Sequence, residues 1–289
     1  MADTEAELER TRRSWNAVVP AHASHRPGQA AFLAEGGSTL FGEELALLGS
    51  VAGRSVVHLL CNTGQDTLSL AAAGARVTGV DLSDEAIAGA RRLARETGIA
   101  ARFERAEVLA WLGAAGREGR RYDIAFASYG VACWLRDLTA FAAALATVVR
   151  PGGRFVLVDF HPFAATFAPD WRHRAPYPTG GAPLELDGVG DYVGAARGGL
   201  SPGGFAEGVD SFRNPHACTL YRWGLGEVVS AFGGAAGRWS VERLEEYPFA
   251  NGERQFDRMR TLPGRRLVPP AGVPSLPLMY GLVAQRNSQ

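Results

Sequence analysis

Two places in this sequence hold residues whose type and spacing suit binding chemistry. Cys61-Asn62-Thr63-Gly64 follows the apolar run at 55–60, and Asp81 closes the next apolar run, at 76–80. In an open parallel sheet the ligand crevice lies beyond the carboxyl ends of the strands, where the first strand turns into its helix. A carboxylate ending the second strand reaches that crevice and can accept from two ribose hydroxyls. Capping of the next helix does not require Asp81, because Ser83 is better placed for it. The turn offers one glycine, whereas a dinucleotide pyrophosphate needs the GxGxxG spacing that lets backbone approach phosphate. A cofactor with adenosine and no phosphate has no such need, and S-adenosylmethionine is the common one.

The elements that must position these residues follow from periodicity. Strands are expected at 55–60, 76–80, 102–105, 122–127 and 154–160, alternating with helices at 66–73, 84–96, 108–114 and 138–149, the pattern of a parallel sheet with crossover helices. Pro151-Gly152-Gly153 turns the last helix into the fifth strand. Helices at 5–15 and 39–48, the second capped by Ser38, form a preface. Residues 162–216 are rich in Gly and Pro yet carry Trp171, Tyr177, Tyr192, Phe205 and Phe212, so a lid or binding wall is expected there. A helix at 226–231 and strands at 238–245 and 278–285 return to the sheet, with a Pro-rich excursion at 249–277. The expected fold is therefore a Rossmann-like α/β seven-stranded, mostly parallel sheet with helices on both faces. Its expected parts are an N-terminal cap (1–50), a cofactor-binding core (51–160), a lid (161–222) and a C-terminal part of the core sheet (223–289).

Composition narrows the chemistry. The chain has 289 residues, with 30 basic against 30 acidic groups, so no electrostatic footprint for nucleic acid or an acidic membrane stands out. Every basic residue is arginine. Without lysine there is no pyridoxal phosphate Schiff base and no Walker-type phosphate loop. The 3 cysteines, Cys61, Cys133 and Cys218, lie far apart, which suggests neither a disulfide framework nor a metal site and fits a cytoplasmic protein. A small-molecule substrate is the expected partner, and the oligomeric state is not legible.

The stretch His58-Leu59-Leu60-Cys61-Asn62-Thr63-Gly64 resembles the first-strand signature of the class I S-adenosylmethionine-dependent methyltransferases. Cysteine, threonine and the last glycine match, while His58, Leu60 and Asn62 replace the usual acid and two glycines. A small-molecule subgroup shares a similar Cys-Asn-Thr-Gly-Gln-Asp turn. The likeness continues through Val77-Thr-Gly-Val-Asp-Leu-Ser83, 122–130 with Trp134, Pro151-Gly-Gly153 and Leu278-Met-Tyr280, covering residues 50–160 well and the rest loosely. The resemblance implies Cys61, Asn62, Thr63, Gly64, Asp81 and Leu82 on the cofactor. Glu107 and Val108 are then beside the adenine, Ser128 is at the methionine portion, and Trp15 comes from an N-terminal helix closing over the site. Asn16, His22, Trp134, Phe163, Trp171 and Tyr192 are the expected substrate wall.

A sulfonium brings its own activation, so the protein must align the acceptor, exclude water and remove a proton. His161, which follows the fifth strand, is the expected base, with Tyr129 beside it as a second catalytic candidate. The expected acceptor is a small aromatic or heterocyclic metabolite, methylated on oxygen, nitrogen or an indole carbon. Two other readings stand beside it: an NAD-dependent oxidoreductase that shares the ribose acid, and a non-catalytic protein that keeps the cofactor pocket.

Overall fold

A computed structural model of the chain describes residues 2–234 and 237–288. It opens with helices α1 (Ala2–Ser24), α2 (Gln29–Ala34) and α3 (Gly42–Leu48). Strand β1 (Ser55–Leu59), α4 (Gln65–Ala72), β2 (Arg76–Asp81), α5 (Asp84–Thr97), β3 (Arg102–Arg105), α6 (Val108–Arg117), β4 (Tyr122–Ser128), α7 (Leu138–Val148) and β5 (Val149–Phe160) follow in alternation. Beyond them come β6 (Ala182–Leu186), α8 (Tyr192–Ala195), β7 (Cys218–Arg222), α9 (Leu225–Gly234), β8 (Trp239–Tyr247), β9 (Ala250–Asn251), β10 (Arg260–Leu262), β11 (Arg266–Val268) and β12 (Met279–Arg286).

Seven strands form the main sheet in the order β3-β2-β1-β4-β5-β12-β8. All neighbours from β3 to β5 pair in parallel, and β12 runs antiparallel between β5 and β8. The order reverses between β1 and β4, so the crevice opens at their carboxyl ends. Successive residues of β1 point to opposite faces. Val57 and Leu59 join Leu112, Phe141 and Phe232 from α6, α7 and α9, whereas Val56 joins Leu47, Leu48 and Leu70 from α3 and α4. Helices thus cover both faces, and each fully buried Leu or Phe contributes about 2 kcal/mol relative to leaving it in water.

The expected preface extends further than its periodicity suggested. Helix α1 runs on through Pro20 to Ser24, α2 was not anticipated, and the third helix starts at Gly42, where Glu44 accepts from the Phe41 N–H at 2.6 Å. Ser38 is not its cap. Strand β5 begins at Val149, and its pairing with β4 jumps from Val149 opposite Tyr122 to Arg154 opposite Ile124, so Pro151-Gly152-Gly153 forms a bulge inside the strand. Residues 162–216 are not a bare loop. Strands β6 and β7 pair antiparallel, α8 lies between them in sequence, and the segment packs on α1 through Val18, Val189 and Cys218. The Pro-rich excursion folds into a small antiparallel sheet ordered β10-β11-β9.

Candidate active site

The turn after β1 is held in a conformation that glycine favours, without the glycines. Leu60 has φ 54°, Asn62 50° and Gly64 76°, all left-handed. Asparagine tolerates this region, and here its Oδ1 accepts from the Thr63 N–H at 2.7 Å. Leucine has no such compensation and carries about 1 kcal/mol of strain or more. Gly64 could not be replaced cheaply, because a Cβ there would stand 2.6 Å from Cε1 of Phe103. The departures at positions 60 and 62 are therefore of residue type and not of backbone shape.

Asp81 closes β2 against this turn. Its Oδ2 accepts from the Asn62 N–H and its Oδ1 from the Ser83 N–H, each at 2.8 Å. Burial raises the carboxyl above its ordinary value, against the pull of N–H groups from Ser83, Asn62 and Leu82. Each oxygen keeps a lone pair for a further donor, which is what two vicinal hydroxyls require. Ser83 caps α5 by accepting from the Ala86 N–H at 3.0 Å, so Asp81 is left for other work. Glu107 caps α6 with both oxygens, accepting from Leu109 N–H at 2.9 Å and Ala110 N–H at 2.7 Å.

These residues border a cavity of about 360 Å³, a size that suits a small ligand. Leu60, Cys61, Asn62, Asp81, Leu82, Glu107, Val108, Ser128 and Tyr129 line it from the sheet side. Trp15, Trp134 and Tyr192 line it from above, with Trp15 edge-on to Trp134 at 5.5 Å and to Tyr192 at 6.3 Å. The Tyr192 hydroxyl accepts from Asn62 Nδ2 at 3.2 Å, joining the two sides. Tyr129 is also left-handed, at φ 55°, and its hydroxyl accepts from Asn251 Nδ2 at 3.0 Å. Burial, with Glu44 adding to it, pushes the Tyr129 hydroxyl well above its ordinary range, so it is a phenol at neutral pH and can donate a hydrogen bond but not accept a proton.

Several expected site residues lie elsewhere. His161 is buried outside the cavity wall, with Nε2 against Glu246 Oε1 at 2.8 Å and Nδ1 accepting from the Phe163 N–H at 3.1 Å. Antiparallel pairing is the cause: the His161 N–H donates to the Leu278 carbonyl at 2.9 Å, which carries the chain toward β12 and β8. Asn16 binds Ser83 and Asp84 instead of the cavity, its Oδ1 accepting from Ser83 Oγ at 2.7 Å. His22 packs behind Tyr192 with ring centres 4.2 Å apart, and burial pulls it down to about 4, leaving it neutral. Phe163 packs edge-on to Phe167 outside the cavity wall, and Trp171 stacks on Phe256 at 4.2 Å within the core of the Pro-rich excursion. Thr63 and Gly64 shape the turn without lining the cavity.

Three charged residues were not anticipated. Arg26, just past α1, lines the cavity; its Nε is buried without a partner, and it makes no ion pair among the described residues. Burial lowers its guanidinium from the ordinary value, while Tyr192, Asp66 and Asp191 are the acidic groups that oppose this. Glu253, after β9, lines the same cavity, and its carboxyl has no hydrogen-bond or ion-pair partner among the described residues. Asp159, near the end of β5, accepts from the N–H groups of Gly130, Val131, Ala132 and Phe160 at 2.6, 3.0, 2.9 and 2.7 Å. It thereby holds the loop that presents Tyr129 and Trp134. The one sequence signal for Asp159 was an acid inside an otherwise apolar strand.

Residues 56–153 match a family model described as a methyltransferase domain. The ubiquinone biosynthesis O-methyltransferase of Ralstonia nicotianae is 34% identical over 118 residues, covering 38% of this chain and 45% of that protein. The chain thus spans about half the length of this curated relative. An S-adenosylmethionine-dependent methyltransferase from Mesorhizobium loti shares the fold, with a TM-score of 0.53 at 19% identity over 88% of this chain and 100% of that one. The structure of a DhpI–SAH complex does so too, with a TM-score of 0.53 at 16% identity over 98% of each chain. Sheet order, the turn at Cys61, the acid at Asp81 and these likenesses converge: residues 56–153 form a domain similar to the methyltransferase domains, within a fold shared with S-adenosylmethionine-dependent methyltransferases.

Proposed function

We propose that this protein transfers the methyl group of S-adenosylmethionine to a small, apolar acceptor held under α1 and the 161–222 segment. One observation carries the reading: a single cavity joins the Asp81 and Asn62 edge of the sheet to a roof of Trp15, Trp134 and Tyr192. The chain's own groups suit the cofactor. Asp81 has a free lone pair on each oxygen for the ribose hydroxyls, and Val108 and Leu82 offer apolar surface for the adenine. Arg26, an unpaired cation in the wall, suits the methionine carboxylate, and Asp66 and Gln65 stand on the same wall as acceptors for the ammonium. A dinucleotide is less well served, because the side chains of Leu60 and Asn62 line the cavity where backbone would have to meet a pyrophosphate.

Bound S-adenosylmethionine supplies a methyl group already activated by its sulfonium. The protein's part is alignment and exclusion of water. Trp15, Trp134 and Tyr192 form a rigid aromatic wall suited to a planar acceptor, and Tyr129 can donate a hydrogen bond to it. Relatives named as O-methyltransferases favour oxygen as the methylated atom. An aromatic or heterocyclic metabolite in cytoplasmic secondary metabolism is the substrate class this wall fits.

Titration calorimetry with S-adenosylmethionine and S-adenosylhomocysteine, followed by transfer of a labelled methyl to a panel of phenols, indoles and heterocyclic amines, tests the reading. Micromolar binding of both and a labelled product support it. Absence of binding by either ligand overturns it.

A further inference from the structure

The cavity wall holds a carboxylate that cofactor binding leaves unused. Glu253 follows β9 in the Pro-rich excursion and lines the cavity. It is half-buried on the cavity wall and has no donor among the described residues. Cys133 and Tyr192 line the same cavity, and Asp159, near the end of β5, is close enough to act on Glu253 electrostatically. Its neighbour Arg254 is turned away, donating to the Met259 carbonyl at 2.9 Å. The two cationic groups on the cavity wall, Arg26 and Arg265, do not pair with it. Arg265 donates to the carbonyls of Gly199 and Thr39 at 3.2 and 3.0 Å. A half-buried carboxylate on a cavity wall without a partner costs free energy unless its role needs it there.

We propose, resting on the methyl transfer reading above, that Glu253 is the general base of the site and that the acceptor carries a hydroxyl or ring N–H whose proton passes to it. As the acceptor's oxygen or nitrogen forms its bond to the methyl carbon, the carbon–sulfur bond breaks and its electron pair stays on sulfur. The O–H or N–H proton moves to the Glu253 carboxylate and later to water, so charge and atoms balance. The environment supports this role. Burial, with Asp159 adding to it, pushes the Glu253 carboxyl up to about 7, where a base is most effective at neutral pH. His161 is bound to Glu246 outside the cavity, and Tyr129 is a phenol, so neither competes for the proton.

Infrared difference titration of the full chain, with and without S-adenosylhomocysteine, is the direct test, comparing wild type with Glu253→Gln from about pH 5 to about pH 9. A protonated-carboxyl band that disappears near neutral pH in the wild type and is missing from Glu253→Gln supports the proposal. No such band overturns it. The second arm follows labelled methyl transfer to a panel of phenols that spans acidic and weakly acidic hydroxyls. Glu253→Gln is expected to lower kcat by roughly 10² to 10⁴ on the weakly acidic phenols, to lose the rise of rate with pH, and to lose least on the most acidic one. Glu253→Asp should recover part of the rate. Unchanged turnover and pH profile in Glu253→Gln overturn the proposal, as does a wild type that binds S-adenosylhomocysteine yet methylates no phenol and no ring N–H compound. Loss of S-adenosylhomocysteine binding in the wild type would instead strike the methyl transfer reading itself.

Discussion

The two halves of the cavity are built in different ways. The half proposed for the cofactor comes mainly from one continuous stretch, β1 to β4, with Arg26 added from just past α1, and its shape is backbone-determined: left-handed residues at 60, 62 and 64, and an aspartate that receives N–H groups. The half proposed for the acceptor is assembled from α1, the loop after β4, α8, β7 and the segment after β9, joined by side chains. A backbone-built site keeps its shape while its side chains vary, as Leu60 and Asn62 in glycine positions illustrate. A side-chain-built site can change its ligand with few substitutions. The chemistry common to a family can thus rest on the first half, and the choice of acceptor on the second.

That division can be broken experimentally. Asp81→Ala should cost the most, because it removes two ribose acceptors and strands the Asn62 and Ser83 N–H groups. S-adenosylhomocysteine affinity is expected to fall by roughly 10²-fold or more by calorimetry. Arg26→Gln should weaken the same ligand by roughly 10-fold, with a shallower dependence on salt, if a cation on the acceptor side grips the methionine end. Should Arg26→Gln change only acceptor KM, the cofactor half would be confined to β1 to β4. Tyr192→Phe removes the 3.2 Å contact with Asn62 and should lower affinity for S-adenosylhomocysteine by no more than about 5-fold, the yield of one neutral hydrogen bond. Leu60→Ile keeps the apolar volume but puts a β-branched residue at φ 54°. It should lower unfolding stability by about 1 kcal/mol in a denaturant titration and leave acceptor KM unchanged.

The same contrast governs what could be read from the sequence. The turn and Asp81 were legible because their signals are local: a strand, a turn and an acid in a fixed order. Trp15, Trp134 and Tyr192 were expected at the site and do line the cavity, since aromatics in irregular segments need a reason to be there. Arg26 was hidden among 30 basic residues, all arginine, and Glu253 lies in a stretch without periodicity, so only the folded chain brings them to one wall. His161 had the right address at the end of a strand. The antiparallel β12 turned it the other way, and sequence order alone could not say so. Phe163 and Trp171 were read as binding-wall aromatics; Phe163 instead packs on Phe167, and Trp171 fills the core beneath the Pro-rich excursion, whose small sheet had no visible strand pattern.

The attachment of α1 has a thermodynamic consequence. Its Asn16 and Arg12 side chains are tied to Ser83 and Asp84, just after Asp81, the aspartate proposed for the ribose, while its other contacts run to α8 and β7 beneath the proposed acceptor wall. One rigid helix therefore spans both ligands. Any ligand that favours the closed position of this helix lowers the cost of closing it for the other, and linkage makes the benefit equal in both directions. Were α1 to take a second position, cofactor and acceptor affinities would be two readings of one equilibrium, and a change in the roof that acts on it alone would shift both.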